Sequence, residues 1–343
     1  MAHELDFSTG RAAIALRGGK ATAWHGFGET IEPGDDVDTI IRKAGLAYEV
    51  RLAPASFAAD GEMHAAEGWC ATYRTDTMRA LGMVSDSRYS LDGRQPRDVV
   101  AFFRAFLSER GLSIETAGAL RGGRMAWCLA ALGPDYEYLA PGGDLTRAFV
   151  RMSTGFTGND GTALDLTSVR VVCANTQRMA DAETKGRQYK VSHSQVFNGP
   201  ALAAAFGLAG ERWRITCDAW NAMQARRVSD DEAREFFCRV SGIDPADLSI
   251  DGKVSTKARN GLQALAEAYR NGPGAQLPGA RQTAYGLLNA VTYYVDHAAT
   301  VRDTYGDGKA AARLASSQDG TGAAVKARAF KYAAELAGMA VAA

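Results

Sequence analysis

The chain has 343 residues, 46% of them apolar and 23% charged, an ordinary globular composition that excludes a largely disordered or fibrous protein. Its 39 Lys and Arg balance 39 Asp and Glu, so no strong overall field draws it to nucleic acid or to a membrane surface, and any such contact must be local. The cysteines Cys70, Cys128, Cys173, Cys217 and Cys238 are scattered, which argues for reduced thiols over a disulfide framework or a zinc site. No stretch approaches the ~20 apolar residues of a membrane span and the start lacks a secretory pattern, so a cytoplasmic protein with no membrane partner is expected.

In chain order, residues 1–200 read as a β-rich domain of short strands broken by Gly-rich turns, with one inserted helix. The acidic trio Asp35, Asp36 and Asp38 precedes Ile40 and Ile41 and reads as helix capping in preference to a metal site. Strands are expected at 48–52, 70–74, 80–85, 113–120, 124–132, 147–154, 168–173 and 188–193. The inserted helix, 96–109, opens on Pro96, carries Val99, Phe102, Phe103, Phe106 and Leu107 on one face, and is followed by Gly111. Turns such as Arg121-Gly122-Gly123 favour hairpins, and the βαβ rhythm of a doubly wound fold is missing.

Residues 201–343 read as a helical region. Ser229-Asp230-Asp231-Glu232 is a capping box leading into Phe236, Phe237 and Val240. Further helices are expected at 257–270, closed by Gly272-Pro273-Gly274, and at 281–301, the longest. Residues 303–321, rich in Gly, Asp, Ser and Ala, read as a mobile loop before a last Ala-rich helix from about Ala323. The fold class is therefore α+β: a mainly antiparallel β-sheet with an inserted helix, followed by a mostly helical C-terminal part.

Common catalytic signatures are absent. Gly306-Asp307-Gly308-Lys309 lacks the upstream glycine of a phosphate-cradling loop, and no zinc-hydrolase, nucleophile-elbow or dinucleotide motif occurs. Asp296 and His297 are weak metal or acid–base candidates, on a stripe with Asn289 and Tyr293, and His193 is a further one. Polar packing against a neighbouring element competes with that reading. His25 lies in an aromatic turn where a structural hydrogen bond is the simpler role. No cofactor is indicated.

The most informative pattern is on the middle strands. In Arg147-Ala148-Phe149-Val150-Arg151-Met152-Ser153 the odd positions share one face and Ala148, Val150 and Met152 the other, core-facing one. Adding Arg124, Arg170 and Lys190 gives a sheet face of cations interleaved with rings, suited to single-stranded nucleic acid: charges neutralise phosphates and rings stack on bases. The competing reading is a solvated face whose arginines pair with Asp165, Asp181 and Glu183. At the end of the apolar run 168–173, Asn175 and Thr176 look like a helix start, able to cap its N–H groups or to hold an anion.

Three separated segments carry a resemblance: Trp24-His25-Gly26-Phe27-Gly28, the run from Ser168 to Thr176, and Pro278-Gly279-Ala280-Arg281-Gln282-Thr283 through His297. In this order they are similar to the phage/plasmid-like protein family that carries domain of unknown function 932. The resemblance implies a mobile-element setting and transfers no activity to any residue. The leading expectation is thus a non-catalytic nucleic-acid-binding protein, of the single-strand annealing and recombination kind, that forms homo-oligomers. A protein-interaction factor directed at host defence and a metal-assisted enzyme acting on nucleic acid are the alternatives.

Overall fold

In the computed structural model, residues 13–17, 28–158, 160–170, 175–178, 189–195, 199–207, 209–302, 309, 312–313, 316–317 and 320–339 are described. The fold is α+β, with antiparallel-rich sheets in the N-terminal part and helices in the C-terminal part. The Trp24–His25 motif and most of the expected mobile loop at 303–321 lie outside the described residues.

The strands and helices are, in order, β1 (Ile14–Arg17), β2 (Glu29–Ile31), α1 (Val37–Lys43), β3 (Val50–Ala59), β4 (Glu62–Arg74), β5 (Ala80–Ser85), α2 (Pro96–Ser108), β6 (Thr116–Leu120), β7 (Met125–Ala131), β8 (Glu137–Ala140), β9 (Asp144–Gly155), β10 (Gly161–Arg170), β11 (Asn175–Arg178) and β12 (Tyr189–Ser192). Then come α3 (Gly199–Gly207), α4 (Ala209–Ala225), α5 (Asp230–Ser241), α6 (Thr256–Asn271), α7 (Ala284–Tyr293), a π-helical turn (Tyr294–Ala298) and α8 (Thr321–Leu336). The main sheet runs β11-β10-β9-β7-β6-β1-β2, with β12 also on β10 and β8 also on β9; among the described strands only β1 and β2 pair in parallel. A second sheet holds β3, β4 and β5.

Local chemistry explains the helix ends. Asp36 caps α1 by accepting from the Thr39 amide at 2.8 Å, while Asp35 takes Lys43 at 2.6 Å. Ser229 and Glu232 close the capping box of α5, and Gly242 ends that helix in the left-handed region at φ 69°. The helix expected over 281–301 is shorter. Gln282 sits at φ 52°, Thr283 caps the start, and beyond Tyr293 the backbone loosens into the π turn.

One apolar core is continuous through both parts. Ala148, Val150 and Met152 face it as the alternation requires, and Phe103, Trp220, Phe236 and Leu287 belong to it. Tyr138 on β8 donates to Asn221 on α4 at 2.7 Å, tying sheet to helices. The opposite sheet face is buried as well: Ile14, Leu16, Leu120, Met125, Trp127, Leu129 and Phe149 form a second apolar cluster.

The second sheet meets the first at Gly82. A Cβ there would lie 2.5 Å from the Thr157 backbone, so only glycine permits the approach. Gly82→Ala should cost about 1–3 kcal/mol as an overpacked contact, read as a lower urea midpoint. Gly34→Ala, where a Cβ meets nothing, serves as the control, and equal midpoints for the two variants would contradict this packing.

Candidate functional site

Of the cations expected on one face, Arg124, Arg147 and Arg151 are engaged with neighbouring groups. Arg151 and Asp165 are 5% and 4% exposed, opposite each other on β9 and β10, with Nη2 2.5 Å and Nε 3.2 Å from Oδ2. Phe149 is part of the second apolar cluster. Arg124 donates to the carbonyls of Leu81 at 2.9 Å and Arg121 at 3.1 Å, and half-exposed Arg147 pairs with Glu137 at 2.9 Å. Arg170 stands on β10 between Thr146 and Asn175, and Lys190 is exposed on β12. Phe149 and Arg151 are therefore buried between strands and do not line an open surface. The cause is the apolar content of β1, β6 and β7, whose residues on this face demand burial and take Phe149 and Arg151 with them.

The expected helix start at Asn175 and Thr176 is also corrected. Residues 175–178 are strand β11, with Asn175 opposite Arg170 and Thr176 opposite Val169. Asn175 and Thr176 are strand residues paired to β10 and not the start of a helix.

Asp296 serves packing. Its Oδ1 accepts from Lys326 Nζ of α8 at 2.9 Å and from Ser317, which itself accepts from Lys326 at 2.8 Å. The side chains of Asp296 and Lys326 are each 7% exposed, so the pair bolts the π turn to α8. His297 stacks at a tilt on Tyr293, 4.9 Å between centroids. His193 is buried elsewhere, parallel to Tyr89 at 4.5 Å with Nδ1 3.0 Å from the Ser90 carbonyl; burial pushes its pKa down to about 4. Among the described residues no group of three His, Cys, Asp or Glu could hold a metal ion.

What the structure presents openly is the β3–β4 ribbon. Asp60 and Gly61, at φ 52° and 85°, make the two-residue turn that an Asp-Gly pair favours. Below it Phe57 faces His64 and Ala58 faces Met63, and past an irregularity at Pro54/Ser56 the strands join β5. No residue from 56 to 69 is buried. Phe57 is 53%, Met63 69% and Trp69 53% exposed. On the three-stranded base, Trp69 and Met83 share the outward face, while Thr72 and Val84 of the inward face are buried.

The base is tied down. The Gln95 side chain exchanges two hydrogen bonds of 2.9 Å with the backbone of Val50, and Thr72 Oγ1 donates to the Phe156 carbonyl at 2.6 Å. Arg74 is fully buried, bidentate on Asp76 at 2.9 and 2.7 Å and stacked 4.0 Å over Tyr48. The ribbon was not legible as one element, although Asp60-Gly61 is a hairpin signal; the alanines around it dilute the strand pattern.

The Arg151–Asp165 pair yields a direct check. Arg151→Ala leaves a buried carboxylate without its cation and should cost about 3–5 kcal/mol in urea unfolding. Arg151→Met with Asp165→Leu should recover most of it. A loss below about 1 kcal/mol for the single variant would show a solvated pair.

No helix among the described residues is long and apolar enough to cross a membrane. No curated protein matches the chain, and no solved structure does. A family match spans residues 80–318, from β5 to the approach of α8, and leaves the ribbon outside it. With more than two thirds of its length matched, the chain belongs to the family described as Domain of unknown function (DUF932).

Proposed function

We propose that the protein is a non-catalytic interaction factor that docks a partner protein on the β3–β4 ribbon, in the cytoplasm. The observation that carries this reading is the ribbon's exposure on both faces with Phe57, Met63 and Trp69 outward. A lone two-stranded hairpin is marginally stable in water, so a long one held rigidly at its base is suited to being covered. Exposed aromatic and methionine side chains are what interface centres are made of. The mobile-element setting implied by the resemblance fits a factor that works by engaging proteins, a host defence component among them.

A second reading, single-stranded nucleic acid as partner, is favoured by one feature: exposed Arg227 and Arg281 flank a cleft with no acidic lining residue. One experiment separates the two. A photo-crosslinker at Phe57 in the full chain, used in nuclease-treated host lysate, should give protein adducts that Trp69→Ser and Met63→Ser together reduce. In parallel, labelled single-stranded DNA is titrated against salt. Absence of ribbon-dependent protein adducts, together with salt-sensitive DNA binding lost in Arg227→Ala/Arg281→Ala, would reverse the order of the readings.

A further inference from the structure

We infer that the ribbon's partner is a second copy of this chain, whose Arg227–Arg281 cleft receives the acidic ribbon tip head to tail. This rests on the reading of the ribbon as a docking element and names what it docks.

Charge points to the kind of surface required. Residues 52–73 include Asp60, Glu62 and Glu67 and no Lys or Arg, and all three carboxylates are exposed. An acidic tip bearing Phe57 and Met63 calls for a basic recess with an apolar floor. Such a recess exists on the same molecule. It has a volume of about 440 Å³ and is lined by Arg227, Val228, Arg281 and Gln282. Val228 is 8% exposed and supplies the floor, while both arginines are exposed.

The cleft is built before any partner arrives. Arg227 and Thr283 form an antiparallel bridge, the Val228 amide donates to Gln282 O at 3.1 Å, and the Ala284 amide donates to Arg226 O at 3.0 Å. Arg227 Nη1 donates to Arg281 O at 2.8 Å, which fixes the Arg227 guanidinium against the Arg281 backbone. Rigid walls of this kind reduce the ordering cost of association.

Ribbon-to-ribbon pairing is the competing way to bury the tip. Pairing this segment with itself would bring Asp60, Glu62 and Glu67 of one copy near the same carboxylates of the other, and like charges at short range oppose it. Ribbon and cleft are different patches, so their contact is heterologous and propagates to a ring or an open filament instead of stopping at a two-fold dimer.

The test is sedimentation velocity of the purified, nuclease-treated full chain over a concentration series at low and high salt, with thermal melts confirming that each variant folds. The expected result is an assembly larger than a dimer that grows with concentration and dissociates in salt. Glu62→Arg and Arg281→Glu should each weaken it roughly tenfold or more, and the two together should restore it. A monomer at every concentration, a salt-insensitive dimer, or single reversals that the double variant does not rescue overturns the proposal. So does an assembly that forms only on adding a single-stranded oligonucleotide. Ribbon-dependent adducts to another protein, obtained with a monomeric chain, would overturn this inference and leave the docking reading intact.

Discussion

The position of everything exposed on the second sheet depends on the Arg74 guanidinium. A fully buried cation is tolerable only when a carboxylate and further acceptors take all of its charge, and Asp76 does so through two parallel hydrogen bonds. Burial raises the Asp76 carboxyl's pKa, but the hydrogen bonds and charge of Arg74 outweigh it, and the net shift is downward. Tyr48 closes the other side of the guanidinium and donates to the Gly123 carbonyl at 3.0 Å. Gly123 must be glycine, since at φ 88° a Cβ would lie 2.7 Å from Arg74. The last residue of β4 is thereby locked to the turn between β6 and β7, and the ribbon rises from a fixed base.

The same economy of charge explains why Phe149 and Arg151 of the middle strands are buried. Period-two alternation assigns Arg147, Phe149 and Arg151 to one face, and the register obeys it. Alternation says nothing of what lies beside that face. Ile14, Leu16, Trp127 and Leu129 occupy neighbouring strands on it, and the resulting apolar cluster makes it a second core in which a guanidinium survives only against Asp165. Arginine next to aromatics in a strand is thus ambiguous between a nucleic-acid face and a buried ion pair until strand order is known.

Much of the fold was readable from local chemistry. The edges of β5 and α2, the capping box of α5 and the inward set Ala148, Val150 and Met152 follow from turn residues, Pro96, Ser229 and alternation. Non-local pairing hid the rest. Asn175 and Thr176 carry cap chemistry but pair with β10, and the π turn after α7 is set by the Asp296–Lys326 contact with a distant helix. The ribbon is not legible in the sequence because alanines and polar residues between 53 and 69 give no buried period, which is what two exposed faces produce. The family match begins at residue 80 and does not extend to this arm.

The ribbon is a preformed arm and not a loop that orders only on binding. Amide hydrogen exchange on the free, monomeric chain tests it most directly. Cross-strand amides between residues 56 and 65 should exchange well below the unfolded-chain rate and lose protection when Arg74→Met loosens the base. Exchange of those amides at the unfolded-chain rate in the native protein would contradict it.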